Sequence, residues 1–222
     1  DRAELRDYSV ASLFPDYISG SKNHDEWEAI GVWAWGSSRI VDYLEREGRI
    51  DMSKIAIMGH SRQGKAALWS GAQDSRFKVV ISNDSGCGGA ALSKRVYGEN
   101  IARITTVLSH WFCPAFSQYA GNEENLPFDQ HEMLALIAPR HLYVASAEGD
   151  LWADPKGEYL SAYYTNKVYE LYKMKGLDSP VPPAVHQPIM NDVGYHIRAG
   201  KHDVTDLSLI HISEPTRHSL IS

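Results

Sequence analysis

The feature that most constrains the fold is a strand–turn–helix–strand unit near the middle of the chain. A short apolar run at 54–58 is followed by a turn at 59–64, an Ala-, Leu- and Lys-rich helical segment at 63–72 and a second apolar run at 77–82. Two such runs joined through a helix are typical of neighbouring parallel strands. The unit therefore predicts an α/β fold built on a parallel sheet.

The rest of the chain continues this alternation. Apolar residues recur at helical spacing over 26–47 and stop near Gly48, which indicates an amphipathic helix. Further on, the pattern predicts a strand at 141–146, one helix from Pro155 to about residue 175 and a last strand at 194–199. Several prolines fall between the last two elements, so 177–188 is expected to be a loop.

Composition excludes several classes of protein. The 222 residues carry 22 Lys and Arg against 28 Asp and Glu, a formal charge of −6 with no basic block, which argues against a nucleic-acid partner. The longest apolar runs, at 55–58 and 79–81, are far shorter than the roughly 20 residues of a membrane span, so no membrane insertion is expected. One soluble domain accounts for this composition.

Metal and cofactor motifs are also missing. Cys87 and Cys113 are too few for a disulfide scaffold and lack zinc-site spacing, and the sequence leaves open whether they are bonded. No H-E-x-x-H is present, so we expect no catalytic metal and no cofactor. The run GCGGAA at 86–91 follows a predicted strand but lacks the helix and later acid of a dinucleotide site. His60 and His110 are interpreted as structural.

The two ends of the chain suggest a gene fragment. The sequence begins with Asp1 and shows no leader segment. Residues 208–217 (SLIHISEPTR) back-translate to a transposase adapter used to prepare sequencing libraries, so 208–222 are predicted to be an adapter-derived tail. We expect residues 1–207 to be the catalytic domain, incomplete at its N-terminus. Expressed as written, the chain is expected to aggregate and to be a poor catalyst.

The turn at 59–64 is the first sign of chemistry. Its sequence, GHSRQG, places Ser61 between a predicted strand and a predicted helix, which is the setting of a nucleophile elbow. A serine on such a turn faces the helix N-terminus, where backbone N–H groups can stabilise an oxyanion. The match departs from G-x-S-x-G because the second glycine, Gly64, comes one residue late.

Chain order supports a hydrolase triad. In α/β-hydrolases the order is Ser, acid, His, with acid and His after later strands. Asp150 follows the predicted strand at 141–146, and His202 follows the last strand. Asp84, after the strand at 77–82, is a second candidate acid. Asp154 precedes Pro155, so we interpret it as a helix N-cap instead.

Lys65 is a further candidate. A lysine in the first turn of a helix opposes the helix dipole, which suggests an anionic partner nearby. The alternative is a lysine that extends to solvent. From the residues alone, Trp152 is interpreted as packing against the protein.

Longer motifs resemble the bacterial glucuronoyl esterases of carbohydrate esterase family 15. The resemblance covers most of residues 26–206 and is carried by runs that include SRQGKAA at 61–67, DSGCGG at 84–89, HWFC at 110–113, LPFDQH at 126–131, SAEGDLWADP at 146–155 and GYHIRAGKHD at 194–203. The family has a three-layer α/β-hydrolase fold with a mostly parallel sheet, about twice this length. The chain is therefore similar to the C-terminal portion of that domain.

The resemblance implies an activity and site residues. It implies a serine esterase that cleaves the ester between lignin alcohols and 4-O-methyl-glucuronic acid of xylan, secreted or periplasmic, and monomeric at full length. It places the nucleophile on Ser61 and the base on His202, with Arg62 stabilising the oxyanion. The family acid falls on Asp84 or Asp150, and we rank Asp150 first because Asp84 is shorter than the fungal Glu. Sugar contacts fall on Lys65, Glu99 and Trp152.

Two other interpretations remain open. A different α/β-hydrolase, such as an acetyl-xylan esterase or a dienelactone hydrolase, would share Ser61, Asp150 and His202. Lys65 and Trp152 would separate the two, because an acetyl ester needs no uronate contacts. The third interpretation is an inactive fragment that at most binds carbohydrate.

Overall fold

A single parallel sheet organises the computed structural model, which describes residues 25–206 together with Ser208 and Leu209. Its strands lie side by side in chain order: β1 (Ala56–His60), β2 (Val79–Asn83), β3 (His141–Ala147) and β4 (Val193–Arg198). The register pairs Ala56 with Val79, Val79 with His141, and Leu142 with Val193. All four strands therefore end at the same edge, where α/β sheets commonly carry their ligands.

The connections between strands are helical. The helices are α1 (Ala29–Glu47), α2 (Arg62–Gln73), α3 (Ile101–Val107), α4 (Gln130–Ala135), α5 (Pro155–Tyr164) and α6 (Asn166–Leu171). Single turns of 3₁₀-helix lie at Met52–Lys54, Ser93–Arg95 and Glu123–Asn125, with a longer one at Pro114–Tyr119. Within the described residues, none of the helices has the length and apolar character needed to cross a membrane.

The main core lies between the sheet and the helices on one face. Leu68 of α2 and Tyr159 of α5 join Val80, Val144 and Tyr195 of the strands in one buried cluster. Alternate strand residues point to the other face, where a smaller cluster contains Val79, Ile81, Tyr143 and Ala145, with Met190 packed against it. The continuous apolar runs of β2 and β3 agree with this burial on both faces.

The predicted elements are confirmed with one exception. The four strands and the helices over 26–47 and 63–72 lie close to their predicted bounds, and 177–188 contains no helix or strand. The single helix predicted over 155–175 is wrong, because α5 ends at Tyr164 and α6 ends at Leu171. At Thr165 the N–H and the hydroxyl both donate to the carbonyl of Ala162, a tightened turn that separates the two helices.

Asp154 occupies the N-cap position of α5, with Pro155 directly after it, as expected, but its side chain does not cap the helix. Its side chain makes no capping hydrogen bond and its φ is 54°, in the left-handed region. Instead, the two carboxylate oxygens accept hydrogen bonds from Arg95, from Nε at 2.8 Å and from Nη2 at 3.2 Å. This two-point contact with a guanidinium outcompetes the single bond that a cap would supply.

The predicted tail lies outside the described residues except for Ser208 and Leu209. Its origin from an adapter stays a prediction. Residues 1–24 also lie outside the described part of the chain.

Candidate active site

Ser61 lies at the turn between β1 and α2 in a strained backbone conformation. Its φ is 57° and its ψ is −127°, a combination that an L-residue adopts only when its surroundings hold it there. The Ser61 N–H donates to the carbonyl of Asn83 at 2.9 Å, and its own carbonyl accepts from Gly64 N–H at 2.9 Å. Two hydrogen bonds thus hold the turn in the form typical of a nucleophile elbow.

The two glycines of the turn allow strand, helix and a neighbouring loop to approach closely. A Cβ on Gly59 would overlap the backbone of Gln63. A Cβ on Gly64 would lie 2.9 Å from Cβ of Ser85, in the loop that follows β2. The late position of the second glycine is therefore explained by contact of α2 with that loop.

His202 and Asp150 form a short hydrogen bond at the same edge of the sheet. Nδ1 of His202, beyond β4, is 2.6 Å from Oδ2 of Asp150, which is buried beyond β3. The other oxygen of Asp150 accepts from the N–H of Ala153 at 3.3 Å. The ring centroids of His202 and His60 are 4.5 Å apart, so the imidazole lies beside the residue that precedes Ser61.

The pKa values of His202 and His60 are shifted in opposite directions. The hydrogen bond that His202 donates to Asp150 raises the pKa of His202 above its ordinary value, against the effect of partial burial. Partial burial lowers the pKa of His60, and the nearby His202 lowers that pKa further. A proton taken up by this pair therefore goes to His202.

Asp84 is fully buried beside this pair and is engaged elsewhere. Oδ1 accepts from the N–H of Ala147 at 2.7 Å, while Oδ2 accepts from Asn83 Nδ2 at 3.1 Å and from Arg198 Nη2 at 3.2 Å. Burial raises the pKa of Asp84, the positive charge of Arg198 opposes that rise, and Asp150 adds to it. Of the two candidate acids, Asp150 is the one that the structure places in hydrogen-bond contact with His202.

A cation could in principle sit among these side chains. Ligand atoms of Asp84, Asp150 and His202 lie within 4.8 Å of one another, the one such trio within the described residues. In this arrangement Oδ2 of Asp84 accepts from Arg198, and Oδ2 of Asp150 contacts the imidazole of His202.

Lys65 is buried and its ammonium group is fully engaged. Nζ donates to the carbonyl oxygens of Ser85 at 2.7 Å and Cys87 at 2.5 Å, and to Oε2 of Glu99 at 3.1 Å. The alternative of a lysine that extends to solvent is therefore wrong. The anion expected from the helix dipole is Glu99 of the same chain.

Trp152 and Arg62 lie on the exposed side of these groups. Trp152 is half exposed, and its carbonyl accepts from the N–H of Glu99 at 2.8 Å, which ties the two segments together. Arg62 is the first residue of α2, and its guanidinium carbon lies 5.1 Å from the ring centroid of Trp111. Lys65 Nζ lies 5.7 Å from the same ring.

Three residues with structural importance at the site were not assigned from the sequence: Asn83, Glu158 and Arg198. Glu158, fully buried in α5, accepts from the N–H groups of Ser85 at 2.7 Å and Gly86 at 3.0 Å, and from Ser146 Oγ at 2.6 Å. Burial raises its pKa. An acid in the first turn of a helix after Asp-Pro is ordinary, so its contact with the loop after β2 left no signal.

The two cysteines are both free in the structure. Cys87 is buried, and burial raises the pKa of its thiol to about 12, so it is not a reactive nucleophile. The question that the sequence left open is answered against a bond between them.

Comparisons with known proteins give a consistent result. Residues 21–173 match the family model described as glucuronyl esterase, fungi. Over 180 residues the chain is 49% identical to the carbohydrate esterase MZ0003 from an unknown prokaryotic organism, covering 81% of this chain and 42% of that protein. It is 40% identical over 126 residues to a 4-O-methyl-glucuronoyl methylesterase of Podospora anserina, covering 52% of this chain and 26% of that protein.

A solved structure gives the same fold. The glucuronoyl esterase from Solibacter usitatus superposes with a TM-score of 0.89 at 46% identity, over 96% of this chain and 54% of that chain. The α/β-hydrolase fold expected from the sequence is thereby confirmed. The chain spans about half the length of the solved relative and 42% of the first curated one.

Proposed function

Because the chain belongs to the glucuronoyl esterases of carbohydrate esterase family 15, we propose that it is the catalytic part of a serine esterase acting on esters of glucuronic acid. The observation that carries the proposal is the convergence of a strained Ser61 turn and the His202–Asp150 hydrogen bond of 2.6 Å at one sheet edge. Acyl transfer by a serine needs this combination of nucleophile, base and orienting acid.

The proposed reaction has two half-steps. In the first, the Ser61 hydroxyl attacks the ester carbonyl carbon while His202 takes its proton, and Asp150 stabilises the imidazolium that forms. The bond to the alcohol then breaks and His202 returns the proton to the departing oxygen. In the second, water attacks the acyl-serine by the same route, which releases glucuronic acid and restores Ser61.

The developing oxyanion requires donors at the start of α2. The first N–H groups of a helix have no partner within the helix, and the helix dipole favours negative charge there. Arg62 supplies one such N–H and a guanidinium on the exposed side. We assign it the oxyanion-stabilising role.

The sugar is proposed to bind at the segment that joins Glu99 to Trp152. Lys65 has three N–H donors and three protein acceptors, so it acts by holding Glu99 rather than by direct contact. Glu99 can then present its second carboxylate oxygen to ring hydroxyls, and the half-exposed ring of Trp152 offers a face for stacking.

The natural substrate proposed is the ester between 4-O-methyl-glucuronic acid of xylan and lignin alcohols. The names of the curated relatives support the glucuronoyl part of this assignment. A polymeric plant substrate also favours a secreted or periplasmic enzyme.

The test is an assay of the full-length protein on benzyl glucuronate and on an aryl acetate. We expect turnover of the glucuronate to exceed that of the acetate, and Ser61→Ala to lower kcat by at least about 1000-fold with an unchanged thermal melt. A preference for the acetate would favour an acetyl esterase. Activity of Ser61→Ala above about a tenth of the parent value would exclude Ser61 as nucleophile.

A further inference from the structure

Arg198 is a buried charged residue at the end of β4, four residues before His202. Resting on the proposed function, we propose that Arg198 is a positioning residue for the triad: it fixes the backbone on both sides of His202 and holds Asp84 away from the imidazole, so that Asp150 orients the ring.

The first line of support is the set of backbone contacts made by its guanidinium. Nη2 donates to the carbonyl of Lys201 at 2.8 Å and to that of Asp203 at 2.5 Å, the residues immediately before and after His202. Nη1 donates to the carbonyl of Ala199 at 3.1 Å. One rigid, planar group thus closes the loop from 199 to 203 onto the end of β4, which fixes the Cα of His202.

The second line of support is the ion pair with Asp84. Nη2 lies 3.2 Å from Oδ2, and both side chains are almost completely buried. A buried charge left unpaired is costly, so each group holds the other in place. Asp84 lies close enough to His202 to compete with Asp150 for a hydrogen bond from the imidazole. The hydrogen bond from Arg198 to Oδ2 holds the Asp84 carboxylate away from the ring.

Asn83 supports the same arrangement from β2. Its Nδ2 lies 3.2 Å from the carbonyl of Asp203, 3.1 Å from Oδ2 of Asp84 and 2.7 Å from Nδ1 of His60. The His202 loop is therefore held to the ends of both β2 and β4, with Arg198 supplying most of the contacts. A shift of about 1 Å at a catalytic base can cost about 100-fold in rate.

The experiment compares Arg198→Lys with Arg140→Lys. Arg140 is a matched control, because its guanidinium also donates to three backbone carbonyls, of Asp74, Phe77 and Leu136, but at the opposite end of the sheet. We expect Arg198→Lys to lower kcat on benzyl glucuronate by about 100-fold with little change in KM, and Arg140→Lys to leave kcat unchanged in the folded fraction.

A second readout separates positioning from general stability. The acid limb of kcat/KM reports the pKa of the free base. Asp150, through its hydrogen bond, and Asp84 raise the pKa of His202, whereas partial burial and Lys65 lower it. If the loop moves and the Asp150 contact is lost, the limb shifts to lower pH in Arg198→Lys. A loss of folded protein would lower kcat/KM by the same factor at every pH and would not move the acid limb. The lysine retains the positive charge opposite Asp84, so charge removal does not cause the shift.

If Arg198→Lys does not fold, the double variant Asp84→Asn with Arg198→Met replaces it. This pair removes both buried charges together, which is far less costly than removing one, but it still lacks the donors to Lys201 and Asp203. We expect the same loss of kcat, and kcat is the readout for this pair, because removing Asp84 by itself lowers the pKa of His202. A folded Arg198→Lys with parental kcat and an unmoved limb, or a folded double variant with parental kcat, would overturn the inference. Failure of the proposed function would be evident separately, as a full-length parent protein without turnover or an active Ser61→Ala.

Discussion

At the scale of single residues, the site contains two buried aspartates whose neighbours give them different tasks. Asp150 faces an imidazole and accepts one backbone N–H, whereas Asp84 is surrounded by Arg198, Asn83 and the N–H of Ala147. Like charges this close oppose each other's ionisation, and the nearby cations set which carboxylate is available as an acceptor. The distinction between them comes from their partners rather than from their residue type.

The first prediction concerns these two acids. Asp150→Asn should lower kcat by about 10⁴-fold, because an amide cannot stabilise the imidazolium. It should also shift the acid limb of kcat/KM to lower pH, since the bond that raises the pKa of His202 is lost. Asp84→Asn should affect kcat less. The measurement is a kcat/KM profile from pH 5 to 9 for each variant, and a larger loss in Asp84→Asn would reverse the assignment.

The second prediction concerns the buried ammonium of Lys65. Lys65→Met leaves two backbone carbonyls without donors and Glu99 without its cation, so the free energy of unfolding should fall by about 3–5 kcal/mol. Glu99→Gln keeps a hydrogen-bonding side chain and should cost less stability while raising KM for benzyl glucuronate. Urea titrations and steady-state kinetics check both statements. A fully stable Lys65→Met with a raised KM would instead indicate direct contact with the sugar.

At the scale of elements, the site depends on how closely α2 approaches the loop after β2. Gly64 of the helix contacts Ser85 of the loop, and the buried Glu158 of α5 accepts the N–H groups of Ser85 and Gly86. The same loop supplies two of the acceptors for Lys65. The helices α2 and α5, which are distant in sequence, are thus joined through the short loop that follows β2.

The third prediction tests this contact with a pair of glycine substitutions. Gly64→Ala places a Cβ 2.9 Å from Cβ of Ser85, which should cost about 1–3 kcal/mol and lower kcat by about 10-fold as α2 moves away from the loop. Gly36→Ala in α1 is the control, because no atom lies within 4 Å of the added Cβ. It should raise stability by about 0.5–1 kcal/mol. Thermal melts and kcat distinguish the two, and a tolerated Gly64→Ala would show that the contact can relax.

The elements were predicted well from the sequence because their signals are local. The apolar run that became β1 and the turn that bears Ser61 are each read from a few adjacent residues. The break at Thr165 has no sequence signal, because the helical pattern continues through it and the break is marked only by the two hydrogen bonds from Thr165 to the carbonyl of Ala162. Asp154 and Arg198 depend on partners distant in sequence, Arg95 and Asp84, and no local pattern reveals such pairs.

At the scale of the whole molecule, the sheet has two unequal sides. Among the described residues, β1 pairs with β2 along one edge and with no other strand. Ala56 and Met58 of β1 are exposed, whereas β2 and most of β3 are buried. The relatives are about twice as long as the matched region. A further strand paired with the edge of β1 would therefore satisfy its backbone hydrogen-bonding groups and cover its exposed apolar side chains.

The last prediction follows from that edge. An unpaired strand edge with apolar side chains is a template for association with another chain, so residues 1–222 expressed alone should self-associate with rising concentration. Met58→Lys should reduce the association, because a charge on an edge strand opposes edge-to-edge pairing. Leu171→Lys is the matched control: Leu171 is an exposed leucine on α6, away from the sheet edge, and its replacement should change little. Sedimentation velocity at several concentrations measures the effect. A monomer at every concentration, or equal effects of the two lysines, would mean that the edge of β1 is already protected.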